Sequence, residues 1–202
     1  MIDLSSVSLA LVSPQNAPEI LIRMQRPLPV AQFRGRWRPE LDHTYDISGV
    51  LPRFTAAYAL ASSSGDPDYS HFDRGRSRKM WKLFPPDMLE GPVREVFTDY
   101  GLFAFPLPLY RVAARNPRAT KEPLLNPQDA FTFFGILASS WRDELAQRGQ
   151  TNPVSLALSL HNADVDNGWR EQAHASNPFR LSYRGQFLPL FIAYYNSYSH
   201  NG

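Results

Sequence analysis

Five cations fall within nine residues of this chain: Arg74, Arg76, Arg78, Lys79 and Lys82, inside the stretch His71–Pro86. No acid stands among them, and Phe72, Met80, Trp81, Leu83 and Phe84 are threaded through the same segment. Guanidinium forks grip phosphates, and flat rings stack on unpaired bases. An aromatic beside Arg-Gly recurs at Phe33-Arg34-Gly35-Arg36-Trp37 and at Tyr183-Arg184-Gly185-Gln186-Phe187. The pattern suits single-stranded RNA or DNA better than a duplex, because no predicted helix carries the cations. The expected contacts are Arg74, Arg76, Arg78, Lys79, Trp81 and Lys82, with Arg34, Arg36 and Trp37. The competing reading is that Arg-Gly marks turns and each ring anchors its own loop.

A second constellation is His161, Asp164 and Asp166. A strand ending at His161 would aim the imidazole away from its leucine face, with two carboxylates in the next loop. That set could supply an acid/base pair or meet a cation. It matches no metal motif, so no metal and no cofactor are expected. A solvated loop after an edge strand competes with it. His71, beside Arg74 and Arg76, is a further candidate base for metal-free phosphodiester cleavage. The sequence carries no phosphate-binding glycine loop, nucleophile elbow, paired-histidine zinc helix or dinucleotide fingerprint. The chain is therefore read as leaning away from an enzyme.

These residues sit in a chain of 202 residues with 43% hydrophobic and 20% charged residues, the balance of a globular protein able to bury a core. There is no cysteine, which excludes disulfides, thiolate metal sites and a cysteine nucleophile. Net charge is only +2, so binding of a polyanion must use local patches. Three such patches are visible: Arg34, Arg36 and Arg38; Arg74 to Lys82; and Arg111, Arg115, Arg118 and Lys121. The first residues lack the basic flank of a signal peptide, and no apolar run approaches a membrane span, so a cytoplasmic, non-membrane protein is expected.

The elements that must position these groups follow from periodicity. Alternation predicts strands over 6–12 and 19–24, joined as a hairpin, and a third strand or extended edge over 30–37 with a bulge at Gly35. Residues 38–49 read as a polar turn. A helix is predicted over 50–61, with Pro52 in its first turn. A long basic loop covers about 62–86. A further helix starts at Pro92 and ends at Gly101, since Val93, Val96, Phe97 and Tyr100 share a face. The proline-containing segment 102–112 reads as an edge strand or polyproline-like stretch, and 114–127 as a loop.

The helix Pro127–Arg148 is marked by Asn126 as N-cap and by an apolar stripe of Ala130, Phe134, Leu137, Ala138, Trp141 and Leu145. Residues 153–161 alternate as a strand. Residues 179–183 and 186–195 read as a C-terminal hairpin, with a helix over 187–197 as the rival. The pentapeptide VSLAL occurs at Val7–Leu11 and Val154–Leu158, which two independent strands explain as well as a duplication.

The expected fold is α+β: one compact domain, 1–202, with a mixed, largely antiparallel sheet and two or three helices packed on it. The segment PLYRVAARNP (108–117), with Trp81-Lys82-Leu83-Phe84-Pro85 upstream, resembles parts of the CRISPR repeat-RNA-processing endoribonucleases. The likeness spans about a tenth of the chain, and the glycine-rich C-terminal loop of that family is missing. It adds to the RNA reading. The functional expectation is a nucleic-acid-binding subunit of a larger assembly, with other protein subunits as partners. The alternatives are a structural or adaptor subunit of a phage or secretion-type particle, and a hydrolase or endoribonuclease using His161, Asp164 and Asp166, or His71.

Overall fold

The computed structural model describes residues 30–72, 81–165 and 187–198. Among these residues the chain forms nine α-helices, one 3-10 turn and a single three-stranded sheet. The expected sheet-based α+β domain with two or three helices is therefore overturned: the described chain is mostly helical. The predicted hairpin over 6–12 and 19–24, the first VSLAL copy and the strand at 179–183 lie outside the described residues.

Helices α1 (Val30–Arg36) and α2 (Arg38–Ser48) replace the predicted strand and polar turn. Val30, Phe33, Trp37 and Leu41 are all buried, and their spacing of three, four and four keeps them on one side of a helix. The stripe is narrow and the other residues are polar, which hides it from an eye tuned to alternation. Gly35 is on the exposed side with nothing near its Cβ position, so it makes no bulge. Thr44 and Ser48 continue the buried face of α2, and their hydroxyls donate to Glu40 O and Thr44 O.

Helix α3 (Pro52–Ser63) matches the prediction at its start, with Pro52 in the first turn. It is buried on nearly every side, Thr55, Ala56, Ala59 and Leu60 included. Strand β1 (Ser70–Phe72) follows, then beyond the basic stretch a 3-10 turn (Pro86–Leu89) and the short helix α4 (Val93–Val96). The predicted helix to Gly101 stops early because Thr98–Tyr100 turns into strand β2. β2 is the central strand of the sheet. His71 is registered opposite Asp99 on β1, and Phe105 opposite Tyr100 on β3 (Phe105–Pro106). The extended reading of 102–112 holds only for that two-residue strand. Pro108 then sits in the first turn of α5 (Leu107–Ala114), where a missing N–H costs nothing. A one-turn helix, α6 (Glu122–Leu125), interrupts the predicted loop.

Helix α7 (Pro127–Gln147) is where the sequence places it. Asn126 Oδ1 accepts from the Asp129 N–H at 3.2 Å, and Phe131 and Phe133 join the predicted stripe in the core. Phe134 stacks on Phe103 at 4.2 Å between ring centroids, the closest of the ring contacts around Tyr58, Phe105 and Phe131. Asn126→Ala should lower stability by about 1 kcal/mol, seen as a lower urea midpoint with an unchanged slope. An unaltered midpoint would show that the cap carries no weight.

The sharpest correction is at 153–161, predicted as a strand and observed as α8 (Pro153–Asn162). Alternate residues lie about 200° apart on a helix, so Val154 and Leu158 point one way and Leu156 and Leu160 the other. The result is a helix with two apolar sides. Every residue from Val154 to Leu160 is buried, with Ser155, Ala157 and Ser159 as the small residues between. Asn152 caps it, accepting from the Val154 N–H at 2.8 Å. At the C-terminal end the rival reading holds: Phe187–Ser197 is helix α9, not a hairpin strand. Phe187, Phe191 and Tyr195, four apart, are buried, and α9 packs along α3.

Candidate nucleic-acid interface

Arg74, Arg76, Arg78 and Lys79 lie outside the described residues, as does Asp166. At the C-terminal end of the basic stretch, Phe84 is buried and Lys82 is exposed. Trp81 is 53% exposed, with its indole 5.2 Å from the Phe97 ring. It therefore presents a supported aromatic surface at the edge of the protein.

The third basic patch is divided between buried and exposed cations. Arg111 is buried. Its Nε donates to Ala119 O at 2.9 Å, and one terminal nitrogen donates to Met88 O at 3.1 Å and Glu90 O at 2.7 Å. This guanidinium ties α5 to the 3-10 turn and to the loop before α6. Lys121 lies 3.7 Å from the Glu95 carboxylate and over the Tyr100 ring. Of this patch, Arg115 and Arg118 are exposed.

The first patch divides. Trp37 is buried, 5.9 Å from the Phe131 ring, so its faces belong to the core. The exposed Arg36 guanidinium lies 4.7 Å from the Trp37 ring centroid and covers its outer side. Arg34 points elsewhere, into a cleft of about 500 Å³ lined also by Arg38, Asp42, Leu51, Arg53 and Tyr198.

The local sequence explains this cleft. The break at Trp37 carries the same helical face from α1 into α2, so Arg34 and Arg38, four apart, stand one above the other. The turn at Gly49, in the left-handed region at φ 65°, ends α2 and brings the start of α3 alongside. Arg53 is in the first turn of α3. Its guanidinium lies 4.5 Å from the Tyr195 ring centroid, while that of Arg34 lies 5.4 Å from Tyr198. Arg38 and Asp42 form a loose, exposed ion pair at 3.8 Å.

Among the described residues that line the cleft there are three guanidiniums and one carboxylate. Arg53 Nε is buried with no hydrogen-bond partner among the described residues. The partial positive charge of the α3 N-terminus adds to the field. Burial raises the Tyr198 hydroxyl pKa; Arg34 and Arg38 oppose the rise and Asp42 adds to it. Burial likewise raises Tyr195, against the charge and hydrogen bond of Arg53. Both tyrosines therefore stay neutral at ordinary pH and add no negative charge to the cleft.

Arg53, Tyr195 and Tyr198 are absent from the residues singled out in the sequence. One signal was present for Arg53. A cation just after the proline that opens a helix opposes the helix dipole, and such placement asks for a reason beyond helix stability. Nothing comparable marks Tyr198, which joins the cleft only because α9 packs along α3.

The candidate catalytic groups are placed differently. His161 is in the last turn of α8, not at a strand end, and lies flat on Phe187 with ring centroids 4.0 Å apart and planes 5° apart. The Asp164 N–H donates to Ser159 O at 3.1 Å, closing the end of that helix. His71 on β1 is registered opposite Asp99, whose side chain is buried, and its ring is 6.4 Å from that of Tyr69. Among the described residues no three His, Asp or Glu side chains come together as a metal site, and no helix is long and apolar enough to cross a membrane. Comparison with known proteins finds no matching family model, no matching curated protein and no matching solved structure.

Proposed function

We propose that the protein binds single-stranded nucleic acid, with RNA favoured over DNA, through the cleft between α1, α2 and α3, as a cytoplasmic subunit of a larger assembly. The observation that carries this reading is the convergence of Arg34, Arg38 and Arg53, from three helices, on one cleft whose described lining residues include a single carboxylate and a tyrosine ring. Arginine offers a fixed fork of donors that matches phosphate oxygens. Two of the three forks already rest on tyrosine rings, so less side-chain freedom is lost when a phosphate arrives. A cleft of this volume is on the scale of a small-molecule pocket. The Arg74–Lys82 stretch and the exposed Trp81 supply further phosphate contacts and a stacking surface. Exposed Tyr45, Ile47 and Ile136 support contact with other subunits.

Arg34→Ala, Arg38→Ala and Arg53→Ala should each weaken binding of a fluorescent single strand roughly tenfold, the loss of one charge-assisted contact. The slope of log affinity against log salt should become shallower by about 0.7 for each phosphate contact removed. Fluorescence anisotropy across a salt series measures both. Wild-type binding that ignores salt, or three variants that bind like wild type, would sink the proposal.

A further inference from the structure

A second cavity, of about 360 Å³, adjoins the arginine cleft. Leu51 lines both. Tyr195 lines the second, and the guanidinium resting on its ring belongs to Arg53, which lines the first. The cation-π pair is thus the boundary between a charged compartment and a largely apolar one. The second compartment is walled by Val50, Phe54, Leu156 and Pro153, and its rim carries the side chains of Gln150 and Asn152. Asn152 Oδ1 is committed to the Val154 N–H, which leaves its amide donors for another acceptor. Arg142 on the same rim is held by Ser48 O, Ser139 and Asp143. The wall is therefore built before any ligand enters.

We infer that the two compartments together hold one nucleotide unit of the bound strand, its phosphate on Arg34, Arg38 and Arg53 and its base unstacked into the cavity behind Tyr195. This rests on the strand-binding reading above and adds the unit that is recognised. The charged end fits a phosphate and not a carbon chain. The apolar walls, with amides on the rim, fit a flat ring with a polar edge. Each volume lies within the range of about 300–1,000 Å³ typical of small-molecule pockets. Base enclosure of this kind contributes on the scale of one stacked base, about tenfold in affinity.

The test compares a labelled single strand with an abasic strand of the same length, in wild type and in Ala146→Trp. Ala146 is exposed on α7 and lines the second cavity, so an indole there fills the space without entering the core. Thr151→Trp, also exposed on the lining, provides a second variant, and a thermal melt confirms that each folds. The expected result is that wild type prefers the base-bearing strand about tenfold or more. Both variants should lose that preference while binding the abasic strand as tightly as wild type, with an unchanged salt slope. Equal wild-type affinity for the two strands, or a preference that survives in both folded variants, overturns the inference and leaves arginine-dependent binding standing. Abasic binding that does not weaken with salt would instead refute the underlying strand-binding reading.

Discussion

Gly101→Ala should destabilise the protein by on the order of 4 kcal/mol or more, a large part of what holds a domain together. Gly101 has φ +70°, and a Cβ built there falls 1.8 Å from Leu124 O and 2.9 Å from Leu124 C. Both atoms are backbone, so no rotamer change relieves the clash. Neither side can retreat cheaply. The Gly101 N–H donates to Tyr69 O at 2.9 Å, which ties the turn to the start of the sheet. Leu124 is buried, and its own N–H donates to Lys121 O at 2.9 Å. Gly149→Ala is the control. Its φ is +74° with nothing within 4 Å of the built Cβ, so only the left-handed conformation is penalised, at about 1 kcal/mol. Chemical denaturation of the two variants separates the effects. Equal, small losses would mean that the contact between the β2–β3 turn and α6 is not present in solution.

Arg111→Ala should cost roughly 3 kcal/mol, because a buried neutral acceptor left without its donor loses about 1–3 kcal/mol, less whatever water restores. Three carbonyl oxygens, of Ala119, Met88 and Glu90, accept from this one guanidinium. Without it they must find water or lie unpaired beneath α5. Arg111→Lys should recover only part of the loss, because an ammonium cannot reproduce the fork that reaches both the 3-10 turn and the loop at 119. Thermal melts give the totals. Hydrogen exchange should locate the damage in residues 86–90 and 116–121, which open first when the tie is cut. An alanine variant as stable as wild type would make Arg111 a surface cation after all.

Arg111 also shows what the sequence could and could not convey. Counting charges places it in a basic patch. Its burial depends on where α5 lands relative to the 3-10 turn, which no local pattern encodes. The helix at Pro127–Gln147 was legible because cap, proline and a broad apolar stripe agree along twenty-one residues. The helix at Pro153–Asn162 was not, because a segment buried on every side loses the period that distinguishes helix from strand. Asn152 and Pro153 announced a helix start there, and the alternation outweighed them. Residues 30–48 failed for another reason: a stripe one residue wide among polar neighbours shows no helical period, so 30–37 reads as a strand or extended edge and 38–49 as a turn. The candidate site was half legible. Arg34 and Arg38 share a local cluster, whereas Arg53 joins them only through the turn at Gly49, and Tyr198 only through the packing of α9 on α3.

The claim that the cleft seats a nucleic-acid strand is tested most directly by photo-crosslinking. A single strand carrying one photoreactive pyrimidine is irradiated with the protein, and the adduct is mapped by mass spectrometry. Adducts are expected on Tyr198 or Tyr195 and should disappear when Arg34, Arg38 and Arg53 are all alanine. Adducts confined to residues away from the cleft, and unchanged in that triple variant, would contradict it.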